Sequence, residues 1–110
     1  MNVIGEVEGR HCILVDDIVD SGGTLCNAAQ ALRQNGAEGV SVYVTHGDFS
    51  GGAVARVGAS AIESMTVTDS ILATEAVRVS ANIRQVTIAP LLAEAMRRIS
   101  EESSVSSLFN

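Results

Sequence analysis

Cys12–Leu25 reads CILVDDIVDSGGTL, and the order of its parts decides the fold. Cys12 to Val15 is a continuous apolar run rich in β-branched residues, which predicts a strand covered on both faces. It stops at the paired acids Asp16 and Asp17. Asp20 follows three residues later, and then come Ser21, Gly22, Gly23 and Thr24. Thr24 can cap a helix, and Leu25, Ala28, Ala29 and Leu32 recur with helical spacing until Asn35-Gly36 stops it. Strand, loop and helix therefore follow one another directly.

The same alternation continues outward. Val40 to Val44 reads as a strand, Gly52 to Val57 as a short helix, Ile62 to Val67 as a strand and Arg84 to Ala89 as a further one. Pro90 suits the first turn of a last helix, whose Leu92, Ala95, Met96 and Ile99 form an apolar stripe. Asn2 to Val7 alternates weakly and ends at the turn-like Glu8-Gly9, which predicts a hairpin with the run that follows. Ser70 to Ser80 reads as a loop or flap, and the serine-rich tail reads by composition as a frayed terminus. This order predicts an α/β fold, a parallel sheet with helices on both faces and right-handed crossovers, in a single domain spanning residues 1–110. Ligands of such sheets bind at the carboxyl ends of the strands, where Asp16, Asp17 and the glycine loop lie.

Composition limits the function. A chain of 110 residues can bury roughly 65% of the surface its unfolded form exposes, enough for a real core. Its residues are 46% hydrophobic but only 3% aromatic, so the interior is aliphatic. The charge balance is 7 basic against 13 acidic residues, and every basic residue is an arginine. A net charge of −6 excludes nucleic acid as a partner held by its backbone, which needs clustered positive charge. Cys12 and Cys26 have no metal-ligand spacing and read as buried reduced thiols. With no apolar stretch long enough to span a membrane and no signal-like start, the expectation is a soluble cytoplasmic protein.

The glycine loop has the makings of an anion site. Gly22 and Gly23 let consecutive N–H groups converge on one concave nest at a helix N-terminus, and such a nest binds phosphate. Ser21 and Thr24 add hydroxyl donors, each hydrogen bond to a charged phosphate oxygen contributing roughly 1.5–3 kcal/mol. Two other phosphate loops are excluded, because neither Gly-Lys-Ser/Thr nor G-x-G-x-x-G follows the strand. A phosphoacceptor receiver domain would need a later lysine, and the chain has none.

Acids beside a phosphate repel it unless they address another part of the ligand. The vicinal hydroxyls of a sugar phosphate are suitable donors to ionised carboxylates. Asp16 and Asp17 reach one sugar only if the strand ends there and the backbone turns. A divalent cation such as Mg²⁺ would offset their mutual repulsion and bridge to a second phosphate group.

Val15–Leu25, VDDIVDSGGTL, resembles the phosphoribosyl pyrophosphate (PRPP) motif shared by type I phosphoribosyltransferases and PRPP synthetases. Ile4–Arg10 (IGEVEGR), Thr45-His46-Gly47 with Ser50-Gly51, Leu92–Arg98 (LAEAMRR) and Ser104–Phe109 (SVSSLF) resemble the carboxyl-terminal part of the synthetases. The resemblance implies a type I phosphoribosyltransferase-like fold and transfer of pyrophosphate from ATP to ribose 5-phosphate, giving PRPP and AMP with Mg²⁺. It implies that Asp16 and Asp17 hold the ribose hydroxyls while Asp20, Ser21, Gly22, Gly23 and Thr24 enclose the 5-phosphate. Ser104 and Ser106 match positions of a regulatory phosphate or ADP site at a subunit interface of a homo-oligomer. The family's ATP-binding residues, metal-binding histidine and catalytic lysine and arginine lie upstream of the part matched. Methionine often precedes Asn-Val-Ile-Gly in the family, so Met1 is expected to be internal and the chain a carboxyl-terminal fragment, inactive alone.

His46, in Thr-His-Gly, reads as a hydrogen-bonded loop residue rather than a catalytic one. Asp48 departs from the family, which usually has an apolar residue before Phe49. Two other readings stay open. A phosphoribosyltransferase would need a hood segment recognising a base, which nothing here provides. A non-catalytic sugar-phosphate-binding regulatory domain differs only in what lies upstream.

Overall fold

The computed structural model describes residues 5–109. β1 (His11–Val19), α1 (Gly23–Gln34), β2 (Gly39–Gly47), α2 (Ala53–Gly58), β3 (Ser64–Thr68), α3 (Glu75–Arg78), β4 (Ile83–Val86) and α4 (Ala89–Ser100) follow in order, and a 3-10 turn at Ser106–Phe109 comes after α4. The four strands form one parallel sheet in the order β1-β2-β3-β4. Parallel neighbours need a crossover, and α1, α2 and α3 supply the three. The α/β class and the parallel sheet are as expected.

The register explains where the core sits. Leu14 lies opposite Val42, Val42 opposite Met65 and Met65 opposite Ile83. These positions share one face of the sheet, and Leu25 and Ala29 of α1, Val57 of α2 and Val77 of α3 close over it in a single cluster. Met65, Val40, Val42 and Val57 are fully buried. The interior is aliphatic, with Phe49 packed at its edge.

Coverage of the second face is where the structure departs from expectation. Ile13 lies opposite Ser41, and Val15 opposite Tyr43. Val15 is 78% exposed and Ile13 61%. All three crossover helices went to the other face. α4 buries none of its residues, and Leu92, Met96 and Ile99 of its apolar stripe stand in solvent.

Smaller differences have local causes. β1 does not end at the paired acids: Ile18 and Val19 go on to pair with His46 and Gly47, because a carboxylate side chain leaves the backbone ladder intact. α1 starts at Gly23, with no side chain capping it, so Thr24 sits in its first turn rather than before it. The Ser70–Ser80 stretch contains α3, where the Thr74 hydroxyl accepts the Val77 N–H. The last strand stops at Val86, and Ile88 leads into α4 with Pro90 in its first turn. Residues 1–4 of the expected hairpin lie outside the described residues. Beyond them Gly5 to Val7 form no strand, and the Gly9 N–H donates instead to the Gly36 carbonyl, 2.9 Å away, past the end of α1. The serine-rich tail is held: Arg98 donates to the Ser104 carbonyl and to the Ser107 hydroxyl.

Candidate functional site

β1, its following loop and the first turn of α1 enclose a hollow of about 210 Å³. Asp16, Ile18, Val19 and every residue from Asp20 to Leu25 line it. Six of the seven substrate-binding residues expected from the sequence thus meet around one cavity. Asp17, next along a strand that continues, falls outside that lining, and its N–H donates to Asp16 Oδ1 at 2.8 Å.

The loop is shaped to receive an anion. Gly22 has φ 80°, in the left-handed region that favours glycine, and a Cβ there would stand 3.5 Å from Val57 Cγ2. The conformation turns the chain from β1 into α1 within three residues. The Cys26 N–H makes an early helical bond, to the Gly22 carbonyl at 2.9 Å. The preceding first-turn N–H groups have no acceptor within the helix, and Gly22 at the N-cap has no side chain to offer them. The Ser21 hydroxyl reaches the Gly23 N–H only at 3.5 Å. Positive helix-end potential and unused donors therefore point at the space that Asp16 and Asp20 border.

Two residues from the β2–α2 segment hold this loop, and sequence reading assigned a role to neither. Ser50 donates its hydroxyl to Asp20 Oδ1 and its N–H to the Asp20 carbonyl, the latter at 2.9 Å. Arg56 donates from Nη1 to the Ser21 carbonyl. The only signal for Ser50 was its place in the Ser50-Gly51 resemblance. Arg56, an arginine on a short helix, gave none. The Asp48 and Phe49 N–H groups both donate to the Val19 carbonyl, at 3.0 and 3.1 Å. The Asp48 side chain is exposed, so its acid costs the core nothing. His46 is hydrogen-bonded as expected, Nδ1 to the Ser70 hydroxyl at 2.7 Å, although it belongs to β2 rather than to a loop.

Asp16 also borders a neighbouring hollow of about 200 Å³ with Val15, Tyr43 and Thr66 on the open face. A larger hollow of about 730 Å³ lies between α2 and the end of α3, but no titratable group lines it. Among the described residues no three His, Cys, Asp or Glu side chains gather as a metal cage. The donor set fits only an ion such as Mg²⁺ that takes one or two carboxylates and completes its shell from water and ligand oxygens. Ser104 and Ser106 lie away from this cavity in the turn after α4, with their hydroxyl oxygens 3.0 Å apart. Cys12 and Cys26 are free and half-buried. No described helix is long and apolar enough to cross a membrane.

Comparison with known proteins agrees with the fold. A family profile described as phosphoribosyl synthetase-associated domain matches residues 1–110. The ribose-phosphate pyrophosphokinase of Granulibacter bethesdensis is 76% identical over 110 residues, covering 100% of this chain and 36% of that protein. That of Rhizobium meliloti is 61% identical over the same 110 residues, again covering 100% of this chain and 36% of the relative. The chain thus spans little more than a third of the length of these relatives. The crystal structure of phosphoribosylpyrophosphate synthetase from Mycobacterium smegmatis superposes with a TM-score of 0.84 at 36% identity, over 91% of this chain and 33% of that one.

Proposed function

The chain belongs to the phosphoribosyl synthetase-associated domain family, and from that premise we propose that it is the ribose 5-phosphate-binding part of a ribose-phosphate pyrophosphokinase. One observation carries the reading: first-turn amides of α1 and the carboxylate-bearing Asp16 of β1 border the same cavity. A sugar phosphate has the matching polarity, an anion at one end and hydroxyl donors at the other.

The 5-phosphate occupies the cradle from Asp20 to Thr24, held by backbone N–H groups and the Ser21 and Thr24 hydroxyls. Asp16 accepts from the ribose hydroxyls, whereas Asp17, on a strand that continues to Val19, reaches the same sugar only if the backbone turns between the two acids. The anomeric oxygen attacks the β-phosphorus of ATP, the bond from that phosphorus to the α-phosphate oxygen breaks, and AMP leaves. The metaphosphate-like character of such transfers gives the protein mainly a positioning task. This chain's share is to fix the sugar so that its anomeric hydroxyl faces the nucleotide. Mg²⁺, held by Asp16 or Asp17 together with ligand oxygens and water, would neutralise phosphate charge there.

ATP binding and the catalytic cation fall to the rest of the polypeptide, since the chain holds no lysine and only about a third of its relatives' length. We further read the chain as one domain, the carboxyl-terminal part of a longer polypeptide whose remainder covers the open face of Ile13, Val15 and Tyr43. The full-length protein is a cytoplasmic homo-oligomer; the free thiols of Cys12 and Cys26 support the compartment. Ser104 and Ser106 form its regulatory phosphate or ADP position, supported by their paired hydroxyls beside Arg98. Transfer to a base would need a hood segment over the sugar, and the described residues supply none.

Calorimetric titration with ribose 5-phosphate tests the reading. The wild type binds, and Thr24→Ala weakens binding by about ten- to a hundredfold, the loss of one hydrogen bond to a charged group. Equal affinities remove the phosphate-cradle assignment. Release of AMP that depends on ribose 5-phosphate, by the chain alone, overturns the division of labour.

A further inference from the structure

We propose that Arg56 is a positioning residue for the phosphate cradle, holding the Ser21–Gly22 peptide so that its N–H faces the ligand; this rests on the sugar-phosphate reading above. The peptide unit is planar, so the Ser21 carbonyl and the Gly22 N–H point in opposite directions. Whatever holds the carbonyl aims the amide. Arg56 Nη1 donates to the Ser21 carbonyl from the last turn of α2. Arg56 does not line the cradle. It borders a separate hollow, with Cys26, Asn27 and Gln30 of α1. The carbonyl is thereby drawn toward α2, and the amide faces away from it.

The clamp is needed because two glycines follow. Glycine accepts either sign of φ at little cost, so a Ser21–Gly22 peptide without a tether can flip. Flipping would remove a donor from the cradle and turn a carbonyl oxygen, a second partial negative charge beside Asp16 and Asp20, toward the phosphate. The support for Arg56 is itself fixed. Its N–H donates to the Gly52 carbonyl at 3.1 Å, and its carbonyl accepts the Cys26 thiol at 3.9 Å, tying α2 to α1. Gly22 lies against Val57 and Ala53 of the same helix, so loop and clamp share one wall. Its guanidinium also places a permanent positive charge behind a loop whose nearest ionisable neighbours are acids.

Amide-resolved NMR titration of the labelled chain separates this role from a general structural one. Ribose 5-phosphate and unphosphorylated ribose are titrated into the wild type, Arg56→Ala, Arg56→Gln and Arg56→Lys, with melting temperature recorded for each. Arg56→Ala is expected to weaken ribose 5-phosphate by roughly tenfold or more, to abolish the ligand-induced shift of the Gly22 amide and to leave ribose unaffected. Arg56→Lys keeps a cationic donor and recovers most of the affinity, and Arg56→Gln falls between. Wild-type affinity in Arg56→Ala overturns the inference. So does a loss shared equally by both ligands, in step with melting temperature and without rescue by lysine. Should Arg56→Ala unfold, Arg56→Gln decides by the same criteria. Failure of the wild type to respond to ribose 5-phosphate sinks the sugar-phosphate reading itself, and this one with it.

Discussion

Ser50 grips Asp20 twice, its hydroxyl donating to the carboxylate Oδ1 and its N–H to the backbone carbonyl across a separation of 30 residues. The acid that seemed out of place in a phosphate loop therefore has one oxygen drawn toward the β2–α2 turn. Ser50→Ala releases that carboxylate to swing toward the cradle. Binding of ribose 5-phosphate is expected to weaken by about three- to tenfold, the scale of one water-screened like charge brought beside the phosphate. Ser50→Thr keeps the hydroxyl and stays near wild type. A Ser50→Ala variant that binds as tightly as the wild type in a calorimetric titration would show that Asp20 is aimed by something else.

Gly47 is where β2 leaves the sheet, and nothing larger fits. A Cβ there would lie 2.7 Å from Phe49 Cε2 and 3.1 Å from the buried Val67 Cγ2. Phe49 has little freedom to retreat, since it already holds φ 52° and its N–H is committed to the Val19 carbonyl. Gly47→Ala is expected to cost about 1–3 kcal/mol of stability, the range for an overpacked site. It should also loosen the turn that carries Ser50. Unchanged denaturant midpoints would mean that the ring moves aside freely.

Much of this architecture was legible because its signals are local. The apolar run, the glycine loop and the spacing of Leu25, Ala28, Ala29 and Leu32 each declare themselves within a dozen residues. The lining of the candidate cavity was legible for the same reason, as Asp16 and Asp20 to Thr24 are close in the chain. Its supports were not, because Ser50 and Arg56 reach back 30 and 35 residues. α3 escaped notice because a helix of four residues has no period to display. The open face misled for a different reason. Ile13 and Val15 have the composition of strand residues covered on both sides, and composition does not say which polypeptide does the covering.

Met65 tests the covered face. It is fully buried at the middle of the sheet, with Val42 on one side and Ile83 on the other. Met65→Ala removes three heavy atoms from a site with no route for water to fill, and about 2–5 kcal/mol of stability should go with them. Chemical denaturation checks this; a loss below 1 kcal/mol would mean that the two strands collapse over the gap.

Two acids at α4 and its approach, Glu94 and Asp69, are held below the ordinary carboxylate range. Hydrogen bonds first from Arg97 and then from Arg98 hold the Glu94 carboxyl at about 2, below its ordinary 4.5. The Ile88 N–H, and after it the Thr87 side chain, lower Asp69 as well, which fastens the start of α4 to the β3–α3 loop. A carboxyl depressed in the folded state adds stability above its unfolded value and loses it as pH falls toward the folded one. Helicity should therefore stay level down to about pH 4.5 and decline toward pH 2. In Glu94→Gln the decline should be smaller, since only the Asp69 part remains. Circular dichroism at fixed ionic strength follows it, and a decline centred above pH 5 would assign the loss to other groups.

The open face offers its own probe, because Tyr43 is the only tyrosine and the chain has no tryptophan. Tyr43 is 48% exposed beside Val15, with no helix over either. Acrylamide should quench its emission about as efficiently as that of a free tyrosine derivative. Val15→Ser, at a position with little contact to lose, should change stability by no more than about 0.5 kcal/mol. The same substitution should reduce concentration-dependent self-association, because an exposed β-branched patch on a flat sheet is a natural contact between copies. A Tyr43 shielded from acrylamide in dilute monomer would place a covering segment over this face within the chain itself. The relatives' additional length would then have to dock elsewhere.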